Sequence, residues 1–187
     1  MKIEKKDVLY FARIISVLLL ITMLIALLLA FVNGITAPVI AANEEKKMSA
    51  AISEFFPSAS DPKTEAATFT KEIEGLDTFY RVTDGGEGIG FCAVVNPKGF
   101  KGEVRMMVGI VDGKVCGIRV LSHGETVGIG DKALDEGYFA EFNGVADYRT
   151  EIDAVSGATY TSKAVKNGVK AALQALIYCN FPNDVNS

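Results

Sequence analysis

Residues 153–165, DAVSGATYTSKAV, stand at the head of the most regular helical pattern in this chain of 187 residues. The residues that follow carry apolar side chains at helical spacing, and Asn180 and Pro182 mark the end of the pattern, so we predict a C-terminal helix. Its apolar face comprises Val165, Val169, Ala172, Leu173, Leu176 and Ile177. Four small hydroxyl side chains gather at its start, at positions 156, 159, 161 and 162, although one is enough to cap a helix.

The hydroxyl cluster has two physical interpretations. A helix N-terminus presents unpaired backbone N–H groups and a partial positive charge, which together favour the binding of a phosphate. Gly157 and Ala158 let a ligand approach the backbone, and the hydroxyls of Ser156, Thr159 and Thr161 either bond to the ligand or supply the oxygen of a phosphoester. The alternative is an ordinary turn with a capping hydroxyl, because short turns of Ser, Gly and Thr are common.

Upstream of this helix, residues 79–122 have the pattern of strands. Four runs rich in β-branched and aromatic residues cover residues 79–83, 89–95, 103–111 and 114–122, and turn sequences separate them. Asp112 and Gly113 lie between two of these runs and predict a tight hairpin. Together with a short helix expected over residues 131–142, the pattern predicts an α+β domain in which helices pack on an antiparallel meander.

Near the start of the chain, residues 14–32 are almost wholly apolar, and no charged residue occurs from position 14 to position 43. At a rise of about 1.5 Å per residue this run spans roughly 28 Å, close to the hydrocarbon thickness of a bilayer. Lys2, Lys5, Lys6 and Arg13 precede it and predict a cytoplasmic N-terminus. A cleaved signal peptide is the alternative, but the apolar run exceeds the roughly 7–15 residues of a signal core.

Residues 43–57 predict a second helix, capped by Asn43 and ended by Pro57. Its apolar face comprises Met48, Ile52, Phe55 and Phe56. Residues 58–68 are expected to form a loop. The sequence thus predicts a cytoplasmic segment 1–13, a transmembrane helix 14–32, connecting loops and a helix over 33–78, and an extracytoplasmic domain 79–187.

Charge and cysteine content exclude some classes of function. The chain carries 19 basic and 23 acidic residues, and this acidic balance argues against a nucleic acid as partner. Its three cysteines, Cys92, Cys116 and Cys179, and its single histidine, His123, do not have the spacing of metal ligands, so we expect no zinc or iron–sulfur site. Cys92 and Cys116 pair if the compartment is oxidising; the alternative is that both are small buried thiols.

The segment DAVSGAT, residues 153–159, resembles the motif D-x-x-S/T-G-A-T of FMN-binding domains in membrane redox complexes. In that family the last threonine carries FMN through a phosphoester, which a separate flavin transferase forms from FAD with a magnesium ion. The resemblance implies covalent FMN on Thr159, and a recognition signature for the transferase made of Asp153, Ser156, Gly157 and Ala158. It also implies that Thr161 and Ser162 contact the phosphate or cap the helix.

A second stretch, residues 122–132 (SHGETVGIGDK), is similar to the family's loop H-x-E-T-P-G-L-G. The positions that agree are His123, Glu125, Thr126, Gly128 and Gly130; Val127 and Ile129 replace the proline and the leucine. By resemblance this loop lies beside the flavin ring, its glycines let the backbone approach the ring, and Glu125 and Thr126 bond to a polar edge. His123 is expected to be a polar residue at a strand end without a role in proton transfer.

The complete pattern of anchor, meander, glycine loop and terminal motif resembles the G subunits of Rnf-type ferredoxin:NAD+ oxidoreductases. The related C subunits of sodium-pumping NADH:quinone oxidoreductases share the motif but are typically longer. The resemblance implies an electron carrier in a membrane complex that couples electron transfer to sodium or proton movement. Its expected partners are a second flavin-bearing membrane subunit, iron–sulfur subunits, the lipid bilayer and, during maturation, the flavin transferase.

Two other classes of function remain open from the sequence. One is an extracytoplasmic reductase in which the flavin acts on a small molecule, and the other is a non-redox assembly protein whose hydroxyl cluster only caps the helix. We expect no ion path through this chain, because its single apolar helix contains no buried charge. We also expect no NAD site, because no strand–GxGxxG–helix unit occurs.

Overall fold

The computed structural model describes residues 5–69 and 71–180. The chain divides into two compact units, Met1–Glu45 and Lys46–Ser187. The first helix, α1 (Lys5–Phe55), contributes residues to both units. Among the described residues it is the one helix that is long and apolar enough to cross a membrane, and residues 9–43 are exposed.

Helix α1 differs from the sequence prediction, because no break separates the apolar run from the predicted helix at 43–57. The prediction that Asn43 begins a new helix is therefore wrong. Ala41 and Ala42 before Asn43, and the Glu and Lys residues after it, are strong helix formers, so that the helix continues. Pro38 lies inside the helix. The predicted end is confirmed, since α1 stops at Phe55, two residues before Pro57.

The second unit contains a five-stranded antiparallel sheet in the order β1-β3-β4-β5-β6. Its strands are β1 (Lys63–Ala66), β3 (Leu76–Asp84), β4 (Glu87–Val95), β5 (Val104–Val111) and β6 (Lys114–His123). Strands β3 to β6 form the predicted meander. The loop predicted over residues 58–68 is wrong, because it contains β1 and the start of β2 (Thr68–Phe69), which pairs with β7 (Cys179–Asn180).

The hairpin between β5 and β6 turns at the two residues that predicted it. Val111 pairs with Lys114, and Asp112 and Gly113 between them have φ angles of 51° and 73°. Two consecutive positive φ angles characterise the type I′ turn, which matches the twist of paired strands. Asp112 is the only non-glycine residue with positive φ in the described part of the chain.

Helices cover both faces of the sheet. On one face lie a 3₁₀ helix (Gly130–Leu134), α2 (Glu136–Ala140) and the C-terminal helix α3 (Thr159–Tyr178). The predicted apolar face of α3 is buried at Val165, Val169, Ala172 and Leu173 and partly buried at Leu176, whereas Ile177 is exposed. On the other face the end of α1 and the residue that follows it, Ala51 to Phe56, pack over Val82, Val94, Met107 and Leu121.

Glycines in the sheet make room for the end of α1. Gly109 and Gly117 pair with each other across β5 and β6, and the ring of Phe55 lies over both. A Cβ atom on Gly109 would lie 2.5 Å from Cδ2 of Phe55, and one on Gly117 would lie 2.6 Å from its Cε1. Both distances are far below a van der Waals contact, so only glycine permits this packing.

We expect Gly109→Ala to lower the free energy of unfolding by about 1–3 kcal/mol, because the new methyl group overpacks against Phe55. Urea denaturation of the full chain in detergent measures the change. Gly88→Ala is the matched control on β4, since its Cβ would lie 3.9 Å from the nearest atom of Arg81. Equal losses for the two variants would contradict the packing argument.

Cys92 and Cys116 are free thiols, which agrees with the second of the two sequence interpretations. They lie on β4 and β6, with β5 between them. Two strand spacings, about 9.6 Å in total, therefore separate their backbones. Disulfides require Cα atoms closer than about 7 Å. Burial raises the pKa of the Cys92 thiol far above its ordinary range, and burial raises the pKa of Cys116 to about 11.

Since the thiolate is the reactive form, both thiols should resist alkylation well below pH 11. We expect iodoacetamide at pH 8 to modify Cys92 and Cys116 far more slowly in the folded protein than in urea. Peptide mass spectrometry resolves the two sites. The rate at Cys116 should rise as the pH approaches the raised pKa of its thiol, about 11. Rapid modification of folded Cys116 at pH 8 would show that its thiol is not desolvated.

Candidate functional site

The first turn of α3 begins without a side-chain cap. Ala158 occupies the N-cap position, with φ −125° and ψ 33°, and no side chain there bonds to the helix. Gly157 before it has a φ of 81°, a left-handed conformation that favours glycine. The alternative interpretation of an ordinary hydroxyl-capped turn therefore does not describe this helix start.

The four hydroxyl side chains divide into two pairs. Thr161 and Ser162 are buried, with 1% and 0% of their surface exposed, whereas Ser156 and Thr159 are exposed. Ser162 accepts a hydrogen bond from the N–H of Val155 at 3.0 Å and donates to the carbonyl of Ala158 at 3.0 Å. These contacts hold the preceding turn against the helix.

Thr161 and Ser162 were expected to contact a phosphate or cap the helix, and the second of these expectations is wrong, because no side chain caps α3. The periodicity of α3 turns both residues toward the domain interior, where their hydroxyls bond to the protein. Of the hydroxyls in the cluster, Thr159 is therefore the one that is both in the first turn and open to solvent.

Glu125 connects the two motifs through a buried carboxylate that is 6% exposed. Its Oε2 accepts a hydrogen bond from the hydroxyl of Thr161 at 2.9 Å. Its Oε1 accepts from the backbone N–H groups of Phe100 at 2.8 Å and Lys101 at 3.1 Å. One side chain thus links the glycine loop, the first turn of α3 and the loop that follows β4.

Neighbouring glycines enclose this carboxylate. A Cβ atom on Gly99 would collide with Oε1 of Glu125, and one on Gly130 would collide with Oε2. Packing against Glu125 therefore explains why this chain, like the family loop, has glycine at position 130. Glu125 was expected to bond to a polar edge of the flavin, but in this structure both of its oxygens already accept hydrogen bonds from the protein.

A cavity of about 160 Å³ lies where the two motifs meet. Its walls are mostly apolar and include Phe100, Glu125, Thr126, Ile129, Gly130 and residues 157–161. The structure therefore brings together most of the predicted site, namely Gly157, Ala158, Thr159 and Thr161 from one motif and Glu125, Thr126 and Gly130 from the other.

Three predicted residues lie outside the cavity walls. Asp153 and Ser156 are exposed and precede the turn at Gly157, and Gly128 is exposed with a φ of 79°. His123 lies at the end of β6, as predicted, and its side chain is exposed. Two larger cavities, of about 350 Å³ each, lie elsewhere along α3 near Asn167 and Lys170, and their walls contain no residue of either motif.

Sequence reasoning missed an aromatic pair at this cavity. The rings of Phe100 and Tyr160 have centroids 5.8 Å apart at an interplanar angle of 46°, and both side chains line the cavity. Phe100 lies in a turn-rich segment that predicted only a connection between strands. Tyr160 directly follows Thr159 in the sequence, and this position was the one signal that could have identified it as a site residue.

We expect Glu125→Ala to destabilise the protein, because it leaves the N–H groups of Phe100 and Lys101 without their acceptor, at about 1–3 kcal/mol for each group. Glu125→Gln should cost much less, because its amide keeps one oxygen for these donors and an NH₂ group for the oxygen of Thr161. Urea denaturation measures both variants. Glu141→Ala, at an exposed position, is the control. Equal losses for Glu125→Ala and Glu125→Gln would contradict the hydrogen-bond geometry.

Comparisons with known proteins identify the family of the chain. Residues 99–174 match the family model described as FMN-binding domain. The chain is 30% identical over 189 residues to the G subunit of the Na(+)-translocating ferredoxin:NAD(+) oxidoreductase complex of Acetobacterium woodii, covering 88% of this chain and 90% of that protein. It is 33% identical over 121 residues to the G subunit of the proton-translocating ferredoxin:NAD(+) oxidoreductase complex of Clostridium ljungdahlii, covering 59% and 65% of the two chains.

A third relative is the G subunit of the ion-translocating oxidoreductase complex of Shewanella piezotolerans. This chain is 30% identical to it over 168 residues, and the alignment covers 79% of the relative's length. The alignments with the Shewanella and Acetobacterium relatives each include most of this chain. The chain therefore belongs to the family of G subunits of ion-translocating oxidoreductase complexes, and its α+β domain is an FMN-binding domain.

Proposed function

We propose that this chain carries FMN, joined by a phosphoester to Oγ1 of Thr159, and transfers electrons within an ion-translocating ferredoxin:NAD+ oxidoreductase complex. The observation that carries the proposal is the placement of Thr159. Its exposed side chain stands in the first turn of α3, at the wall of the cavity where the two motifs meet. The buried hydroxyls of Thr161 and Ser162 are engaged by the protein and do not compete for attachment.

The residues present fit the phosphate of FMN. The N–H groups in the first turn of a helix have no acceptor within the helix, and the helix dipole favours an anion there. Gly157, with its left-handed φ, directs the chain into this turn without a side chain in the way, and a Cβ atom there would meet open space. Among the described residues, no basic side chain lines the cavity, so within its walls the positive partial charge comes from backbone amides.

The residues present also fit a flavin ring. The cavity walls are mostly apolar, and the loop from Glu125 to Gly130 supplies Thr126 and backbone groups at its edge. When bound, FMN supplies the capacity to accept and release one or two electrons. The chain itself positions the attachment hydroxyl, holds the loop through Glu125 and excludes water from the apolar wall. Asp153 and Ser156, which are exposed, are accessible to a flavin transferase.

Membrane placement follows from the charge pattern. We propose that residues 1–13 are cytoplasmic, that residues 14–32 span the bilayer and that the FMN-binding domain lies on the extracytoplasmic side. The exposed apolar residues of α1 support the span, and the names of the relatives support a multi-subunit complex. The proposed partners are a second flavin-bearing membrane subunit and iron–sulfur subunits of that complex. Two relatives are named for complexes that translocate different ions, so these names assign no coupling ion to the complex of this chain.

We expect Thr159→Ala to fold normally and to lose the covalent flavin. The free energy of unfolding should change by less than about 0.5 kcal/mol, because the side chain is exposed. The full chain is produced together with an active flavin transferase and separated on a denaturing gel. Flavin fluorescence of the band and the mass of the peptide that contains position 159 measure attachment.

Two control variants make this test specific. Thr161→Val removes a hydroxyl of the same cluster that the structure places in the interior, and it should retain covalent flavin. Ser156→Ala removes the other exposed hydroxyl and should leave the flavin on residue 159 wherever the transferase still modifies the chain. Covalent flavin on Thr159→Ala, or on any other residue of the unaltered chain, would show that the attachment site is wrong.

A further inference from the structure

Exposed apolar side chains concentrate around the Thr159 cavity. From residue 46 onward, the described part of the chain exposes six large apolar side chains. Four of these form a group that we call the apolar rim: Phe100, Val127, Ile129 and Tyr160, which are 66%, 83%, 59% and 65% exposed. Phe100, Ile129 and Tyr160 line the cavity, and Val127 lies in the same loop as Ile129. Such a concentration indicates a surface that is covered in the functional state.

The two aromatic members of the rim come from segments that are far apart in the sequence. Phe100 belongs to the loop after β4, and Tyr160 is the second residue of α3. Their rings are tilted by 46° at a centroid distance of 5.8 Å, so they are neither stacked nor perpendicular. Their mutual contact leaves most of each ring surface exposed, and this surface is available to a third planar group.

One carboxylate places both rings. The N–H of Phe100 donates to Oε1 of Glu125, and the hydroxyl of Thr161, the residue after Tyr160, donates to Oε2. Glu125 thus anchors the backbone of Phe100 directly and the residue next to Tyr160 through its side chain, so it holds the two ring-bearing segments together beside Thr159. A ligand that packs on segments already held in place pays a smaller conformational cost on binding.

We propose that Phe100 and Tyr160 form the contact surface for the isoalloxazine ring of the flavin, with Tyr160 touching the ring directly. This inference rests on the proposed attachment at Thr159. A phosphoester there confines the ring to the neighbourhood of the cavity, and Tyr160 is the next residue in the chain. The flat, largely apolar faces of the flavin ring match the rim in chemistry, and aromatic groups favour offset or edge contacts of this kind.

Flavin fluorescence tests the contact with Tyr160. A tyrosine that touches a flavin quenches its emission, because the phenol donates an electron to the excited ring and recovers it without net reaction, whereas a phenyl group does not. We expect Tyr160→Phe to raise the emission per bound flavin several-fold and to lengthen its lifetime. The measurement uses the full chain in detergent, produced with the flavin transferase. Circular dichroism checks folding, which an exposed Tyr→Phe change should not affect.

A second variant tests Phe100 by asking whether a phenol at position 100 quenches the flavin emission. Adding Phe100→Tyr to the Tyr160→Phe variant places a phenol on the other ring of the pair, so emission should fall again. Tyr178→Phe is the matched control, because Tyr178 is exposed on the same helix but at its opposite end. This control should leave the emission unchanged.

The outcomes separate this inference from the proposal on which it rests. Peptide mass spectrometry of each variant reports attachment at Thr159 independently of fluorescence. Flavin on Thr159 with emission that responds to neither rim substitution would overturn the ring contact and leave the attachment standing. It would also assign the apolar rim to another occupant, such as another protein of the complex. Absence of flavin from Thr159 in the unaltered protein would overturn both.

Discussion

The arrangement of the site depends on the buried carboxylate of Glu125. Removing such a charge from water costs several kcal/mol, and here hydrogen bonds from Phe100, Lys101 and Thr161 offset that cost. These donors lie in the loop after β4 and in the first turn of α3, so the charge is satisfied only when both segments are in place. Folding that buries Glu125 therefore also fixes the walls of the cavity, and this requirement explains why glycine occupies positions 99 and 130.

Because of this constraint, the hydroxyl side chains of the cluster have different roles. Thr161 and Ser162 use their hydroxyls to hold the first turn of α3 against the rest of the domain. Thr159 is the first residue of α3 and is exposed, so its hydroxyl contributes little to stability. The surplus of hydroxyls at one helix start thus combines buried groups that serve packing with an exposed group at the proposed attachment site.

Much of the fold could be predicted from local patterns, and the failures have specific causes. Alternating β-branched residues and the Asp112–Gly113 turn determined the meander because these signals are local. Strand β1 was missed because its exposed edge position gives Lys63–Ala66 no apolar pattern, and its pairing comes from β3. The two motifs both contribute residues to the cavity beside Thr159. They did not reveal that Glu125 faces inward or that Phe100 meets Tyr160, because these contacts join segments that are distant in sequence.

The size of the cavity explains why a covalent bond suits this site. Pockets that hold a cofactor-sized ligand by burial usually enclose about 300–1,000 Å³. The cavity beside Thr159 encloses only about 160 Å³, so it covers no more than part of a flavin ring. Burial alone would then give weak retention, and the proposed phosphoester supplies what the small contact surface lacks. A contact surface of this size would leave the remainder of the ring accessible to the proposed electron-transfer partners, so retention and access would be met by different parts of the site.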